Sequence, residues 1–308
     1  MRLSDIRIRD PFVLESSPGS FVLFGTTDEN VWGGPATGFD CYTSSDLDRW
    51  EGPIEAFRPP EGFWSDTQFW APEVHAHDGR FFMFATFVAS SSRVRGVAVL
   101  VSDQPTGPFV PWSDGPLTPP GIPCLDGTLF IDDDFQPWLV YSRGSEGIPG
   151  GAAGIADGEM HALRLSGDLR EPMGTPELLF TASSASWSRP LRFPAGVEPP
   201  PALNLATDPL FTDGPFLVRS LCGALLMLWS SFGEEGYAMG VATSVGGSIL
   251  GPWAQSSEPL WARNGGHGML LAASTGSNYL VFHTPNDTPH ERATLVEVEL
   301  TSNAIALA

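Results

Sequence analysis

The chain has 308 residues, enough for one large domain or two ordinary ones, with 42% apolar residues to build a core and only 17% charged ones. Its formal net charge is −20 and all 16 of its basic residues are Arg, which sets it against nucleic acid and anionic membrane surfaces and excludes a P-loop or a Lys Schiff base. A neutral partner that needs no charge steering fits such a surface, and 34 Gly with 29 Pro and no period point to many tight turns.

Residues 1–10 carry no apolar h-region and no cleavage site, and no later run approaches the ~20 apolar residues of a membrane-spanning helix. A soluble, cytoplasmic protein is therefore expected, unless a leader has been removed. Arg9-Asp10-Pro11-Phe12 then opens a first unit, followed by the turn Pro18-Gly19 and an apolar run over 21–25. Residues 43–50 leave a strand on Ser, turn through Asp, and end on Trp50. A second unit starts at Trp70-Ala71-Pro72-Glu73, turns at Asp78-Gly79, runs apolar over 81–87 and 97–101, and ends in the same way on Phe109. A third starts at Leu125-Asp126-Gly127-Thr128, turns at Asp132-Asp133-Asp134, and runs apolar over 137–141, with a degenerate exit at 165–169. Within it lies a Gly-rich loop, 144–158, which no helix follows, so a phosphate cradle is a poor reading. A second loop covers 194–201. The fourth unit opens at Thr212-Asp213-Gly214-Pro215 and exits over 243–253 on Trp253, and the fifth opens at Gly266-His267-Gly268-Met269. No helical period is sustained beyond about a dozen residues.

Asp10, Glu73, Asp126, Asp213 and His267 follow one another at steps of 63, 53, 87 and 54 residues, the long step holding the Gly/Pro-rich insertion. Recurrence at about 40–50 residues or somewhat more marks a propeller with one four-stranded sheet per repeat. Residues 1–308 are expected to form a single all-β domain, a five-bladed β-propeller. Propeller blades aim the starts of their inner strands at one channel. A titratable residue at each start would gather an acid/base site from positions far apart in sequence.

An isolated Asp beside Gly or Pro is ordinarily a turn or cap residue. Asp10, Asp126 and Asp213 are read differently, because scatter rather than recurrence is expected of turn residues; Asp132-Asp133-Asp134 is read as a solvated hairpin turn. His267 is either a core residue bonded to backbone or a channel residue. His75 and His77 share one strand face with no third ligand in sight and read as surface residues. Trp32, Phe39 and Trp70 are candidates to stack on a sugar, with core packing the alternative. Arg292 is a candidate donor to sugar hydroxyls, with a surface ion pair the alternative. Cys41, Cys124 and Cys222 have no metal spacing and an odd count, and read as small buried apolar residues.

Phe69-Trp70-Ala71-Pro72-Glu73-Val74, Gly38-Phe39-Asp40-Cys41-Tyr42, Trp50-Glu51-Gly52-Pro53 and Gly265-Gly266-His267-Gly268-Met269, in that order and spacing, resemble glycoside hydrolase family 43. The resemblance runs from about residue 9 to about residue 295. It implies a five-bladed propeller that cleaves arabinofuranosides, xylosides or galactosides of neutral oligo- or polysaccharides. It implies Asp10 as the general base that activates water, Asp126 as the carboxylate that orients the acid and tunes its pKa, and Asp213 as the general acid. Trp32, Phe39, Trp70, Glu73, His267 and Arg292 are the residues expected around the sugar, the resemblance favouring the channel for His267. No cofactor is required by the resemblance, although a structural calcium ion in the central channel, reached by His267 through water, is compatible with it. The family has Glu before Gly-Pro where this chain has Asp213, a side chain shorter by one methylene, which sets the donor about 1–1.5 Å further back. Arg9 before Asp10 and Phe135, at a turn where the family has Gly, are smaller departures. The expected activity is inverting, exo-acting release of a terminal pentose, with α-L-arabinofuranose the leading reading and β-xyloside, galactoside or galactofuranoside the alternatives. A glycoside phosphorylase would need a basic phosphate cluster, which a Lys-free chain hardly offers. A non-catalytic sugar-binding propeller would gain nothing from burying three like charges.

Overall fold

Short β-branched and aromatic runs separated by tight turns favour meanders of antiparallel strands, and the chain forms five of them in succession. The computed structural model describes every residue except 194, 195, 202, 302 and 303. Blade I contains β1 (Arg9–Ser17), β2 (Ser20–Thr26), β3 (Phe39–Ser44) and β4 (Glu51–Phe57). Blade II contains β5 (Ser65–His77), β6 (Arg80–Ala89), β7 (Arg95–Ser102) and β8 (Val110–Pro111). Blade III contains β9 (Leu125–Ile131), β10 (Pro137–Arg143), β11 (Glu159–Leu165) and β12 (Pro172–Thr181). Blade IV contains β13 (Asp213–Arg219), β14 (Leu225–Gly233), β15 (Gly236–Ser244) and β16 (Trp253–Gln255). Blade V contains β17 (Gly266–Ala272), β18 (Asn278–Thr284), β19 (Arg292–Leu300) and β20 (Ile305–Leu307). The only helical turns among the described residues are two short 3₁₀ segments.

The core lies between the blades, not within them. Phe39, Phe57, Phe69 and Phe87 fill the seam of blades I and II. Phe84, Val97, Val99, Leu139 and Leu163 fill the next, and Trp138, Phe180, Trp187 and Trp229 the one after. Leu226, Leu228, Leu280 and Phe282 join blades IV and V. Burial of each such side chain stabilises by about 1.5–3 kcal/mol. The aromatic exits behave as the sequence suggests: Trp50 and Phe109 are buried, and Phe109 lies edge-on against Phe24 of the preceding blade. Of the cysteines, Cys41 and Cys124 are buried, but Cys222 is exposed, contrary to expectation. It sits in the turn after β13, beyond the reach of any inter-blade seam.

Every inner strand carries the same bulge. Arg9 opposes Thr26 while Phe12 opposes Phe24, so three residues on β1 span two on β2. The same offset occurs at Trp70–Glu73, Leu125–Thr128, Asp213–Phe216 and Gly266–Met269. The second residue of each bulge has a positive φ: 51° at Asp10, 45° at Ala71, 56° at Asp126, 47° at Gly214 and 51° at His267. Bulges of this kind turn a strand and re-aim a side chain. This register corrects the repeat read from the sequence. The equivalent positions are Asp10, Ala71, Asp126, Gly214 and His267; Asp213 lies one residue earlier than its supposed counterparts and Glu73 two residues later.

The bulge frees the N–H of its second residue, which needs another acceptor. A polar side chain at the end of the preceding blade's second strand supplies it. Thr26 Oγ1 accepts from Ala71 (2.8 Å), Thr86 Oγ1 from Asp126 (2.9 Å), and Ser230 Oγ from His267 (2.8 Å). His283 Nδ1 closes the ring by accepting from Asp10 (3.1 Å). The exception is blade IV. Ser142 bonds Thr212 instead, and the Gly214 N–H donates to Asp126 Oδ2 (3.2 Å).

Candidate active site

The bulged ends of the inner strands open into a cavity of about 850 Å³. Asp10, Asp126, Asp213 and His267 all line it, together with Trp32 and Trp70. Long connections make the walls. Residues 27–38 bring Val31 and Trp32; the insertion between blades III and IV brings Leu191, Arg192, Phe193 and Leu203; residues 285–288 close the blade V side. Leu203 packs on Trp70, with Trp32 and Leu205 against the same cluster. The Gly-rich loop buttresses this insertion: Gly147 N–H donates to Leu203 O (2.7 Å) and Gly154 N–H to Asn204 O (3.0 Å). Of the loop expected over 194–201, residues 194 and 195 lie outside the described residues; the remainder is irregular, as expected.

Asp10 accepts from Thr26 Oγ1 at 2.8 Å and lies 3.2 Å from His267 Nδ1. Burial alone would raise its pKa, but the neighbouring positive charges, His267 and Arg9 foremost, outweigh burial and bring it down to about 2. Asp10 is therefore a carboxylate throughout the physiological range. Asp126 is 3.7 Å from His267 and accepts from the Gly214 N–H; burial first, and then the charge of Asp10, raise its pKa. Asp213 is pushed up much further. Its burial is the largest cause, followed by the negative charges of Asp126 and Glu146. Tyr237 donates to Asp213 Oδ2 at 3.1 Å, and the buried Oδ1 has no partner. A proton on Asp213 is shared with the neighbouring Asp126 carboxylate through a side-chain hydrogen bond, which helps to raise the pKa of one and lower that of the other.

The three carboxyl groups are thus shifted apart: Asp10 downward, Asp126 upward and Asp213 well upward, with Asp126 acting on Asp213. Asp10 stands on blade I and Asp213 on blade IV, which are not neighbours, and both line the same cavity. Asp126, on blade III, adjoins Asp213.

Several expected site residues lie elsewhere. Phe39 is fully buried among Phe57, Phe69 and Phe87, because its strand face turns into the blade I–II seam. Arg292 donates to Ser4 O (3.0 Å), Glu291 O (2.7 Å) and Pro289 O (3.2 Å) and fastens the N-terminal segment to blade V. Arg9 stands in the pocket wall instead, its guanidinium over Trp32 (4.9 Å) and paired with Glu291 (2.7 Å). Glu73 sits below the cavity, bonded to His75 (3.1 Å). His75 is not a surface residue: its ring packs against Phe12 at 5.1 Å. His77 bonds Gly167 O at 2.9 Å.

Three residues of the site left little trace in the sequence. Glu146 lies in the Gly-rich loop, 6% exposed, with Oε2 unpartnered; burial, and then Asp126, push its pKa to about 7 against the pull of Arg95. Its one signal is Gly144, where a Cβ would come within 2.2 Å of Glu146 Oε2. Tyr237 comes from the third strand of blade IV and His283, behind the cavity lining, from the second strand of blade V, where only the fold brings them to the site. As for calcium, His267 faces two carboxylates already engaged with each other's electrostatics. No cluster of three or more His, Cys, Asp or Glu side chains among the described residues has metal-holding geometry. Calcium takes six to eight oxygen ligands, so an ion reached by His267 through water would take most of them from water.

A five-bladed propeller whose cavity gathers one carboxyl of lowered pKa and others of raised pKa has the acid/base parts of a glycoside hydrolase. Residues 4–303 match the sequence profile of glycosyl hydrolases family 43, and the chain belongs to that family. The endo-arabinase from Bacteroides thetaiotaomicron VPI-5482 has a similar structure, with a TM-score of 0.83 and 35% identity, covering 98% of each chain. Curated relatives align over shorter stretches. The extracellular exo-alpha-(1->5)-L-arabinofuranosidase ArbA of Cellvibrio japonicus (strain Ueda107) is 24% identical over 44% of this chain and 40% of its own. Xylosidase/arabinosidase 43A of Humicola insolens is 32% identical over 25% of this chain and 23% of its own. The chain therefore aligns with less than half the length of these two proteins.

Proposed function

We infer that the enzyme is an inverting, exo-acting glycoside hydrolase that releases a terminal pentose, α-L-arabinofuranose before β-xylose, from a neutral plant-type polysaccharide or oligosaccharide. The observation that carries this is the division of labour between Asp10 and Asp213 across one walled cavity. Asp10 accepts a proton from water on one face of the sugar. Asp213 gives its proton to the leaving oxygen on the other. Asp126, between them, keeps Asp213 protonated and, through the Gly214 N–H, fixes the backbone beside it. Inverting enzymes separate the two carboxyls by about 6.5–9.5 Å to admit the water, and placement on non-adjacent blades favours that spacing.

Arabinofuranose is preferred because two of the similar proteins carry arabinan- or arabinofuranoside-cleaving names and a third is a xylosidase/arabinosidase. Exo action is preferred because long connections, residues 27–38, the insertion before blade IV and residues 285–288, add lining around the cavity; the similar endo-arabinase supports the endo alternative. The test is a screen on nitrophenyl α-L-arabinofuranoside, β-xyloside, β-galactoside and galactofuranoside, together with debranched arabinan. The first anomer released is read by NMR. Release of arabinose alone, with inverted configuration, is expected. Arabinan cut into long oligomers, or retained configuration, would overturn the exo or the inverting reading respectively.

A further inference from the structure

His283 is fully buried on β18, and the catalytic scheme above gives it no task. In three other blades a hydroxyl caps the N–H freed by the next bulge, and a hydroxyl can donate as readily as it accepts. An imidazole cannot do both at one nitrogen. Since Nδ1 accepts from the Asp10 N–H (3.1 Å), it holds a lone pair and no proton. The proton must then be on Nε2, which faces Asn286 Oδ1 at 3.2 Å. Asn286 belongs to the pocket wall over 285–288. The ring also stacks on Tyr237, with centroids 5.7 Å apart and planes inclined by 22°. Tyr237 in turn donates to Asp213. One rigid side chain thus touches the backbone of the ionised carboxylate, the sugar-side loop and the phenol that holds the protonated carboxyl.

The ring also approaches the Asp10 carboxylate itself, Nδ1 to Oδ1 at 3.5 Å. A proton on Nδ1 would form an ion pair there and release the Asp10 backbone. Burial, assisted by the charge of Arg9, depresses the pKa of His283 to about 3 and keeps that proton away.

We propose that His283 is a positioning residue that fixes, through a single neutral tautomer, both the bulge presenting Asp10 and the loop over 285–288 that grips the sugar. The two nitrogens separate these tasks. Asn at this position keeps an acceptor where Nδ1 stands and loses the reach to Asn286. Gln keeps a donor near the place of Nε2 and loses the near acceptor.

The proposal rests on Asp10 as the base, so its test has one arm that does not depend on activity. In the parent enzyme, ¹⁵N-edited spectra of the histidines, with His283 assigned by its loss in His283→Asn, should show Nε2 protonated and Nδ1 unprotonated and unchanged between pH 5 and 8. A titrating signal, or the opposite tautomer, overturns the proposal whatever the substrate proves to be. The second arm is steady-state kinetics on whichever nitrophenyl glycoside the parent cleaves. His283→Asn should raise KM by about three- to tenfold, the effect of one lost hydrogen bond, and keep most of kcat. His283→Gln should lower kcat by about 10²-fold, the cost of a misplaced reacting group, with less effect on KM. Equal losses in kcat and KM for both variants, or parent-like kinetics for both, would reduce His283 to core packing. If neither variant folds, His283 is assigned in the parent by triple-resonance ring-to-backbone connectivities, and its tautomer decides alone.

Discussion

Replacing Asp213 by Ala asks the most of the proposed mechanism. Burial and two nearby carboxyls raise the pKa of Asp213, and its hydrogen bond to Asp126 favours the protonated form. Its proton is useful only to a leaving group that needs one. General acid catalysis contributes ~10²–10⁴-fold, or about 2.7–5.4 kcal/mol of barrier at 1.36 kcal/mol per tenfold. Asp213→Ala should therefore lower kcat/KM by about 10²–10⁴-fold on an arabino-oligosaccharide, whose leaving alkoxide is a strong base. On a dinitrophenyl glycoside, whose leaving group departs without protonation, the loss should be within about tenfold. The pH profile supplies a second sign. The parent loses activity as pH rises through the raised pKa of Asp213, because the donor is then empty. Its acid limb lies far down, since Asp10 remains ionised until pH falls toward about 2. In the variant the alkaline limb should vanish, while the acid limb stays. The assay is kcat/KM against pH on both substrates, with folding checked by circular dichroism. Equal losses on both substrates with the alkaline limb intact would sink the assignment of Asp213. Glu146, the other carboxyl lining the same cavity whose pKa is pushed up, to about 7, would then be the donor to test.

Two further outcomes follow from the same electrostatics and packing. Glu146→Gln removes a negative charge that helps hold the proton on Asp213, so the alkaline limb of kcat/KM should move to lower pH; an unmoved limb would show that Glu146 serves Arg95 alone. Gly214→Ala should cut kcat by about 10²-fold with the propeller intact. The reason is not its φ of 47°, which non-glycine residues adopt in the other four bulges, but the His267 ring, whose Cγ and Cδ2 a Cβ would approach to 2.8 Å. Parent-like turnover in that variant would mean that His267 gives way freely and does not orient Asp10 and Asp126.

What the sequence determined by itself was the architecture and the identity of the principal carboxylates. Strand runs, two-residue turns and Gly-Pro-aromatic exits are local signals. A propeller repeats them at a near-constant interval, so five units and their inner strands were legible without any tertiary information. Asp10, Asp126 and Asp213 were legible for the same reason, each standing where an inner strand begins. Tertiary structure decided which residues share a register. A bulge leaves no mark in a single sequence, and a shift of one residue turns a side chain to the other face of a strand. Glu73 and Asp213 therefore looked equivalent to Asp10, although Ala71 and Gly214 occupy its position. Phe39 and Arg292 were assigned to the sugar on proximity in sequence, and the rotation of their strands sent them into a seam and onto the N-terminal segment. Glu146, Tyr237 and His283 became part of the site only because loops and outer strands from different blades converge on one channel. Their pKa shifts are properties of that burial: in the unfolded chain Asp10 and Asp213 are the same acid, and it is His267 and Arg9 beside one, and Asp126 and Glu146 beside the other, that push one pKa down and the other up, as the proposed base and acid require.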